Sequence, residues 1–401
     1  MFVFVLNCGS SSFKYQLLDM SNENRVASGL VERIGLKDSI LAYEPANAEK
    51  IQETFDIPDH EVAIKRVLDK LVDPKVGVIK KLTDITAVGH RVVHGAEKFS
   101  GSVQINYAVL NALEECIPMA PLHNPANIIG IKAMFHALPG VPNIGVFDTA
   151  FHATIPAESY IYALPYEWYE QHHVRRYGFH GTSHRYVSER AAQILGIPKD
   201  KFNCITCHMG NGSSYTAVMN GKSYDTSMGL TPLEGMVMGT RCGDIDPGLF
   251  SFLSTNLNLS FAEIDTALNK KSGLLGISGV SSDMRDIEGA AKSGNARAKL
   301  AIEVLRHRAL KYIGAYAIML GRVDAIIFTG GIGENAIDFR GSVVERLSTL
   351  GIKLDAEKNN VRGKVATIST ADSPIKVMVV PTNEELVIAR DTKEIVDKIK
   401  G

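Results

Sequence analysis

Net charge is what this chain most conspicuously lacks: its 401 residues carry 43 Lys and Arg against 44 Asp and Glu. That balance leaves no electrostatic footprint for a nucleic-acid duplex or an acidic membrane, so neither is expected as a partner and small-molecule work is. Cysteine is scarce too. Cys8, Cys116, Cys204, Cys207 and Cys242 are odd in number and scattered, which is not a disulfide framework. Cys204 and Cys207 form a CxxC, but the surrounding chain reads as extended, and residues three apart in a strand point to opposite faces. The apolar start has no basic flank and stops at Asn7, short of a signal peptide or membrane span, so a cytoplasmic location is expected. The chain has no long linker, repeat array or low-complexity stretch.

Glycine is plentiful and gathers in three turns, each fed by an apolar strand: Asn7-Cys8-Gly9-Ser10-Ser11-Ser12, His208-Met209-Gly210-Asn211-Gly212-Ser213-Ser214 and Gly330-Gly331-Ile332-Gly333-Glu334-Asn335. Without a Cβ, glycine lets backbone N–H groups press against an anion and tolerates positive φ. The first two turns repeat one device. Strand 2–6, turn, strand 13–19, hairpin at 21–24 and strand 26–30 recur as 203–207, turn, 215–219, hairpin at Asn220-Gly221 and 222–226. A chain of 401 residues is too long for one ordinary core and suits two such domains facing one polyphosphate across a cleft.

His90 with His94, and His180 with His184, stand at the spacing zinc enzymes use, yet neither pair has the Glu that comes after the first His there. The first pair lies in a β-branched stretch beginning at Ile85, where strand geometry holds two rings too far apart for a helical chelate. His180 precedes Gly181-Thr182-Ser183, a start signature for an amphipathic helix over 186–195. It therefore stands at a helix N-terminus, a place for an anion or for a ring bonded to the backbone. Arg91 comes directly after a strand and glycine, Asp148 ends another strand, and Arg241 stands among the glycines of 238–246. Ligand chemistry in open α/β sheets gathers at strand carboxyl ends, although one such charge alone is as a rule a surface ion pair. Helices are predicted over 261–268, 286–293 and 296–320, the last as buried scaffold or subunit interface. A strand over 324–328 delivers the third turn, whose Glu334-Asn335 opens a helix. A strand over 377–381 runs into a capping segment, 382–385, for a final helix ending near Ile399.

The ordered strings LNCGSSSFKY, GHRVVHG, APLHNPAN, VFDTAFH, RRYGFHGTSH, CHMGNGSS, DTSMGLTPLEG, MGTRCGDIDP, SGLLGISG, FTGGIGENA and PTNEELVIARD resemble the acetate and butyrate kinase family, from Val5 to the last helix. The resemblance implies an α/β, actin-like ATPase fold shared with sugar kinases and Hsp70, built of two duplicated ribonuclease H-like domains with a nucleotide cleft. One domain would span 1–150 plus a C-terminal helix at 385–401; the other, 151–384, would bind nucleotide and dimerise. The implied reaction is reversible, Mg²⁺-dependent transfer of the ATP γ-phosphoryl to acetate, giving acetyl phosphate and ADP by direct in-line displacement. Mn²⁺ is the substitute ion and a homodimer the expected assembly.

Acetate is already ionised at neutral pH, so the obstacle is bringing one anion onto another, and cations and donors should dominate the site. By resemblance, Arg91 and Arg241 hold the acetate carboxylate and the migrating phosphoryl with forked bonds, His180 donates to its equatorial oxygens, and Asp148 orients a metal-bound water or an arginine. Asn7 and Glu384 lie near the Mg²⁺, an oxygen set suited to a hard cation that keeps its waters. Lys14 lies near the phosphates. The remaining nucleotide contacts are His208, Met209, Gly210, Asn211 and Gly212, then Asp283, Met284 and Arg285, then Gly331, Ile332, Gly333, Glu334 and Asn335. Arg91, Val93, Leu122, Phe179 and Pro232 line the substrate pocket. One methylene is worth about 1–3 kcal/mol in such a pocket, so propionate kinase of the same family is the alternative reading. A nicotinamide dehydrogenase is a more distant one, because Gly331, Gly333 and Ala336 satisfy GxGxxA but leave the other turns unexplained; a non-enzymatic actin-like ATPase would not need the Arg91, His180 and Arg241 set. Ala96 departs from the family pattern, which has a second Gly after GHRVVHG.

Overall fold

The computed structural model describes residues 1–121 and 123–400. Its internal contacts divide into two units, Met1–Phe151 with Asn383–Gly401, and His152–Thr382.

The first unit is built on eight strands: β1 (Phe2–Cys8), β2 (Ser12–Asp19), β3 (Asn24–Glu32), β4 (Ser39–Pro45), β5 (Ile51–Phe55), β6 (Ile85–Val92), β7 (Val103–Gln104) and β8 (Asn143–Phe147). They lie in the order β5-β4-β3-β2-β1-β6-β8-β7. Strands β1 and β2 pair antiparallel with Asn7 opposite Lys14, while β1, β6 and β8 run parallel. The apolar run of β1 is central, and Val3, Phe4, Val5 and Leu6 are buried, as a strand covered on both faces requires. The helices His60–Leu71 and Asn124–Ala137 and the C-terminal Glu384–Lys400 cover it. The last starts where Asn383 accepts from the Leu386 amide at 3.1 Å, a cap as the sequence pattern predicts.

The second unit carries β9 (Cys204–Met209), β10 (Ser213–Met219), β11 (Lys222–Thr226), β12 (Ala325–Thr329), β13 (Ala366–Thr367) and β14 (Lys376–Val379), in the order β11-β10-β9-β12-β14-β13. Strands β9 and β12 are buried along their whole length, and both CxxC thiols are buried with their pKa values pushed up by that burial. The run β3-β2-β1-β6-β8 and the run β11-β10-β9-β12-β14 have the same strand directions: antiparallel, antiparallel, parallel, parallel. The repeated strand–turn–hairpin of the sequence is thus a repeated sheet.

Around this second sheet, the 25-residue helix Ala296–Leu320 buries Ala298, Ala301, Leu305, Ala309 and Ile313, one face at helical spacing. The helix expected to open at Glu334-Asn335 instead occupies Gly330–Asn335 and breaks at Ala336 before a second helix, Ile337–Glu345. Among the described residues no helix is long and apolar enough to cross a membrane.

Candidate functional site

In the second unit the helix Gly181–Leu195 begins at His180, whose backbone sits in the left-handed region at φ 54° and whose ring makes no capping bond. The ring turns instead to the sheet, pairing through Nδ1 with Ser214 Oγ at 2.8 Å and stacking on His208 at 4.2 Å. Ser214 Oγ also meets His184 Nε2 at 2.7 Å, His184 Nδ1 meets Thr206 at 2.7 Å, and Ser183 holds His208 Nδ1 at 2.8 Å. Burial holds His184 well below the usual histidine pKa, so this support is neutral. A non-glycine residue at positive φ costs about 1–3 kcal/mol, which the surrounding network maintains in order to aim one ring.

The Nε2 edge of that ring and the guanidinium of Arg241 flank the same glycine: a Cβ placed on Gly212 would lie 3.4 Å from both. Arg241 donates to the Pro232 carbonyl at 3.0 Å, and among the described residues no carboxylate neutralises it. Burial lowers its pKa, and an arginine keeps its charge, leaving a half-buried cation with unused donors beside a turn rich in backbone N–H groups. Phe179, buried, precedes His180, and its carbonyl pairs with His152 Nε2 at 2.9 Å.

Next to Gly210 opens a cavity of about 700 Å³, walled by Gly210, Asn211, Asp283, Met284, Arg285, Gly331, Ile332 and Asn335. Two glycines shape it. Gly239 makes room for Asn211, whose Oδ1 would lie 2.0 Å from a Cβ there, and Gly330 turns at φ 75° with a would-be Cβ 2.8 Å from the Met209 carbonyl. Asp283 caps the helix Met284–Lys292 and takes a forked bond from Arg285, which holds its carboxyl down to about 2.

Five of the expected nucleotide contacts in this unit do not line the cavity. Glu334 folds back on its own turn, accepting from Gly330 N at 2.9 Å and Thr382 N at 3.3 Å. The Gly333 carbonyl serves the buried Arg340, Met209 lies in the core against Tyr215, and His208 and Gly212 belong to the His180 and Arg241 cluster. Ser282, Glu288, Ala336 and Arg362 line the cavity and were not anticipated. Glu288 lies three residues beyond Arg285 on the same helix face, a signal that could have found it; Arg362 comes from an irregular segment with none.

In the first unit Arg91 is not past its strand but the penultimate residue of β6. Its Nε and Nη2 donate to the two oxygens of Asp148, just after β8, at 2.9 and 2.6 Å. The fork expected to hold substrate is therefore occupied by Asp148, and the rest of the guanidinium is what remains for a ligand. Glu384 stands 4.0 Å from Arg91 at the start of the last helix. Burial pushes the Glu384 carboxyl up to about 7, with Arg91 opposing and Asp148 and Glu385 adding to the rise. Lys14, exposed, faces Asn7 across the β1–β2 hairpin. Val93, buried just beyond β6, is held by its amide to Asn127 Oδ1 at 3.0 Å. Leu122 lies outside the described residues. Ala96 adopts φ 50°, the left-handed conformation a glycine would take freely.

A sheet repeated with the same strand directions, glycine turns and the half-buried Arg241 cation make a site suited to an anionic ligand. Residues 2–390 match the model of the acetokinase family. The chain is 57% identical over 396 residues to the acetate kinase of Desulfitobacterium hafniense (strain DSM 10664 / DCB-2), covering 99% of each chain, and 56% identical over 395 residues to that of Halothermothrix orenii, covering 98% of this chain and 99% of that one. Among solved structures it resembles Porphyromonas gingivalis acetate kinase, with TM-score 0.95, 52% identity and coverage of 98% of this chain and 99% of that one. A propionate kinase from Francisella tularensis aligns with TM-score 0.92 at 45% identity over 98% and 99%. The chain belongs to the acetokinase family.

Proposed function

We propose that this protein transfers the γ-phosphoryl of ATP reversibly to acetate, giving acetyl phosphate and ADP by in-line displacement with Mg²⁺. The observation that carries the reading is the cavity walled by Gly210, Asn211 and Gly331, with His180 and Arg241 converging on the adjoining Gly212. This is what holding a polyphosphate and stabilising a transferring phosphoryl requires. The cavity takes the nucleoside, and Arg241 and His180 meet the γ-phosphoryl. Lys14 serves the phosphates.

Arg91, aimed by Asp148, receives the carboxylate, and Val93, Phe179 and Pro232 are each read as contacts of its methyl group. Asp148 is already committed to two arginine bonds, so its role is orientation, and an ionised acid needs no base. Asn7 and Glu384 would hold the Mg²⁺. They offer hard oxygen ligands, and a divalent cation would offset the burial that chiefly raises Glu384 together with the neighbouring Asp148 and Glu385 that add to it. When bound, the ion neutralises phosphate charge.

The two compact units are read as the two domains of the duplication, the second binding nucleotide and forming a homodimer. Supporting the dimer, the helix Leu249–Leu257 has no buried residue and, with Phe261, exposes Leu249, Phe252 and Leu257. A cytoplasmic location is consistent with soluble substrates. Acetate is favoured over propionate by the 57% and 52% identities to the Desulfitobacterium hafniense and Porphyromonas gingivalis acetate kinases, against 45% to the Francisella tularensis propionate kinase.

The test is acyl phosphate trapping by hydroxylamine with ATP, Mg²⁺ and acetate, propionate or butyrate in parallel. Acetyl hydroxamate in excess of the others is expected, and no product with any acid refutes the reading.

A further inference from the structure

One wall of the cavity carries an acceptor with nothing to accept. Glu288 lines the space together with Ile332, Asn335, Ala336 and Arg362, and among the described residues its Oε1 is buried without a hydrogen-bond partner. The two nearby cations are engaged elsewhere: Lys292 pairs with Asp338 at 2.9 Å, and Arg362 donates to the Asn335 carbonyl. Burial and the neighbouring Asp338 push the Glu288 carboxyl up, which shows how poorly the protein alone solvates it. A buried acceptor left open inside a cavity calls for a ligand that brings the donor.

Its position says which part of the ligand. Ser282, just before the helix Met284–Lys292, lies against the Gly239–Asn211 contact that borders the phosphate turns. Glu288 is four residues along that helix from Met284, about 6 Å at 1.5 Å per residue. The Gly330–Asn335 helix leads away from its glycines over a similar length to Asn335, where Arg362 is bound. Phosphates resting on the glycine turns therefore place the nucleobase beside Glu288, with Ile332 and Ala336 offering apolar surface to a ring.

We infer that Glu288 is the residue that selects the base, its carboxylate accepting a hydrogen bond from the exocyclic 6-amino group of adenine. The inference rests on the nucleotide reading of this cavity. A 6-oxo purine turns an acceptor toward the carboxylate and is disfavoured, and a purine without a 6-substituent leaves the carboxylate unpaired.

The test measures kcat/KM for ATP, ITP, purine riboside triphosphate and 2′-deoxy-ATP in the full chain, in Glu288→Gln and in Glu288→Ala, each checked for an unchanged melting temperature. The parent should prefer ATP over purine riboside triphosphate by about tenfold or more, the scale of a hydrogen bond to a charged group. In Glu288→Ala that ratio should collapse toward one, and in Glu288→Gln ITP should gain on ATP, because an amide can donate to the 6-oxo group. The ratio of ATP to 2′-deoxy-ATP should not move. An unchanged ATP preference in folded Glu288→Ala overturns the inference, as does a change confined to the 2′-deoxy ratio, which would assign Glu288 to the ribose. Gly331→Val is the control: beyond its chain neighbours and its own helix backbone a Cβ there meets no atom of the described residues within 4 Å, so the side chain projects into the cavity and should raise KM for every nucleotide alike. If that variant leaves all KM values unchanged, the cavity assignment fails and the inference falls with it. A raised KM beside an unchanged base preference sinks only the role of Glu288.

Discussion

Replacing Asp148 by asparagine keeps the side chain's shape and removes its charge, and the loss falls first on Arg91. Arg91 gives Asp148 two bonds, at 2.9 and 2.6 Å, and the carboxylate is 2% exposed against 21% for the arginine. An amide has one acceptor oxygen and turns an NH₂ toward a guanidinium that can only donate, so one bond is lost and two donors face each other. Breaking a buried pair from one side costs about 3–5 kcal/mol. Arg91 is partly exposed and Glu384, 4.0 Å away, inherits some of its charge, which places the loss at the low end, about 3 kcal/mol. For a unit of this size that is a melting shift of about 6–12 °C. If Asp148 acts by aiming Arg91, the same distortion falls on the transition state, and kcat/KM for acetate should drop about 100-fold, the equivalent of about 2.7 kcal/mol. The KM for ATP should hold. Calorimetry and hydroxamate assays on Asp148→Asn, with Arg91→Lys alongside, decide it. A variant that melts with the parent and keeps its kcat/KM refutes the pair's importance, and one whose activity returns at high pH would show proton transfer in place of aiming.

Much of the scaffold was legible because its signals are local. Residues 222–226 and 296–320 were bounded as the structure has them, the first by an Asn-Gly turn and the second by an Asn cap and a terminal glycine. The helix Leu249–Leu257 was not read from the sequence, although its Ser251, Ser254 and Thr255 stand at helical spacing. Gly330-Gly331 reads as a turn, yet the helix begins there, since a helix that starts beside a ligand site favours residues without a Cβ over good helix formers. The C-terminal helix packs with the first unit although the whole of the second, His152–Thr382, intervenes in the chain, which no local pattern announces.

The site was legible as residue types and poorly legible as contacts. His180 was singled out from its place before a helix, but the partners that aim its ring, Ser214 and His208, come from β10 and β9, and only the fold brings them together. Arg91 and Asp148 were both named, 57 positions apart, and Asp148 was expected to orient a metal-bound water or an arginine, but nothing local says that it occupies the fork of Arg91. Glu334, the most conspicuous charge of the third turn, is spent on closing that turn.

Three further outcomes are expected. Ala96→Gly should raise stability by about 1 kcal/mol by relieving the left-handed φ of 50°, a gain of about 2–4 °C in melting temperature, and no gain would mean the loop absorbs the strain. His90, buried and bonded to Asn143 at 2.7 Å, has its pKa pushed down to about 4, so the folded state refuses a proton that the unfolded state takes below about 6.5. Its stabilisation is therefore complete above that pH and falls by about 3 kcal/mol toward pH 4; urea unfolding of His90→Gln should show a correspondingly flatter acid slope, and equal slopes would assign the loss elsewhere. Val93→Ala should make room for one more methylene at the acyl end, raising the ratio of kcat/KM for propionate over acetate by up to about tenfold while the KM for ATP stays put. Val93 is buried and tied through its backbone to Asn127, so the main chain should keep its course when the side chain is trimmed; an unchanged ratio in a well-folded variant would make Val93 core packing and move substrate choice to other residues.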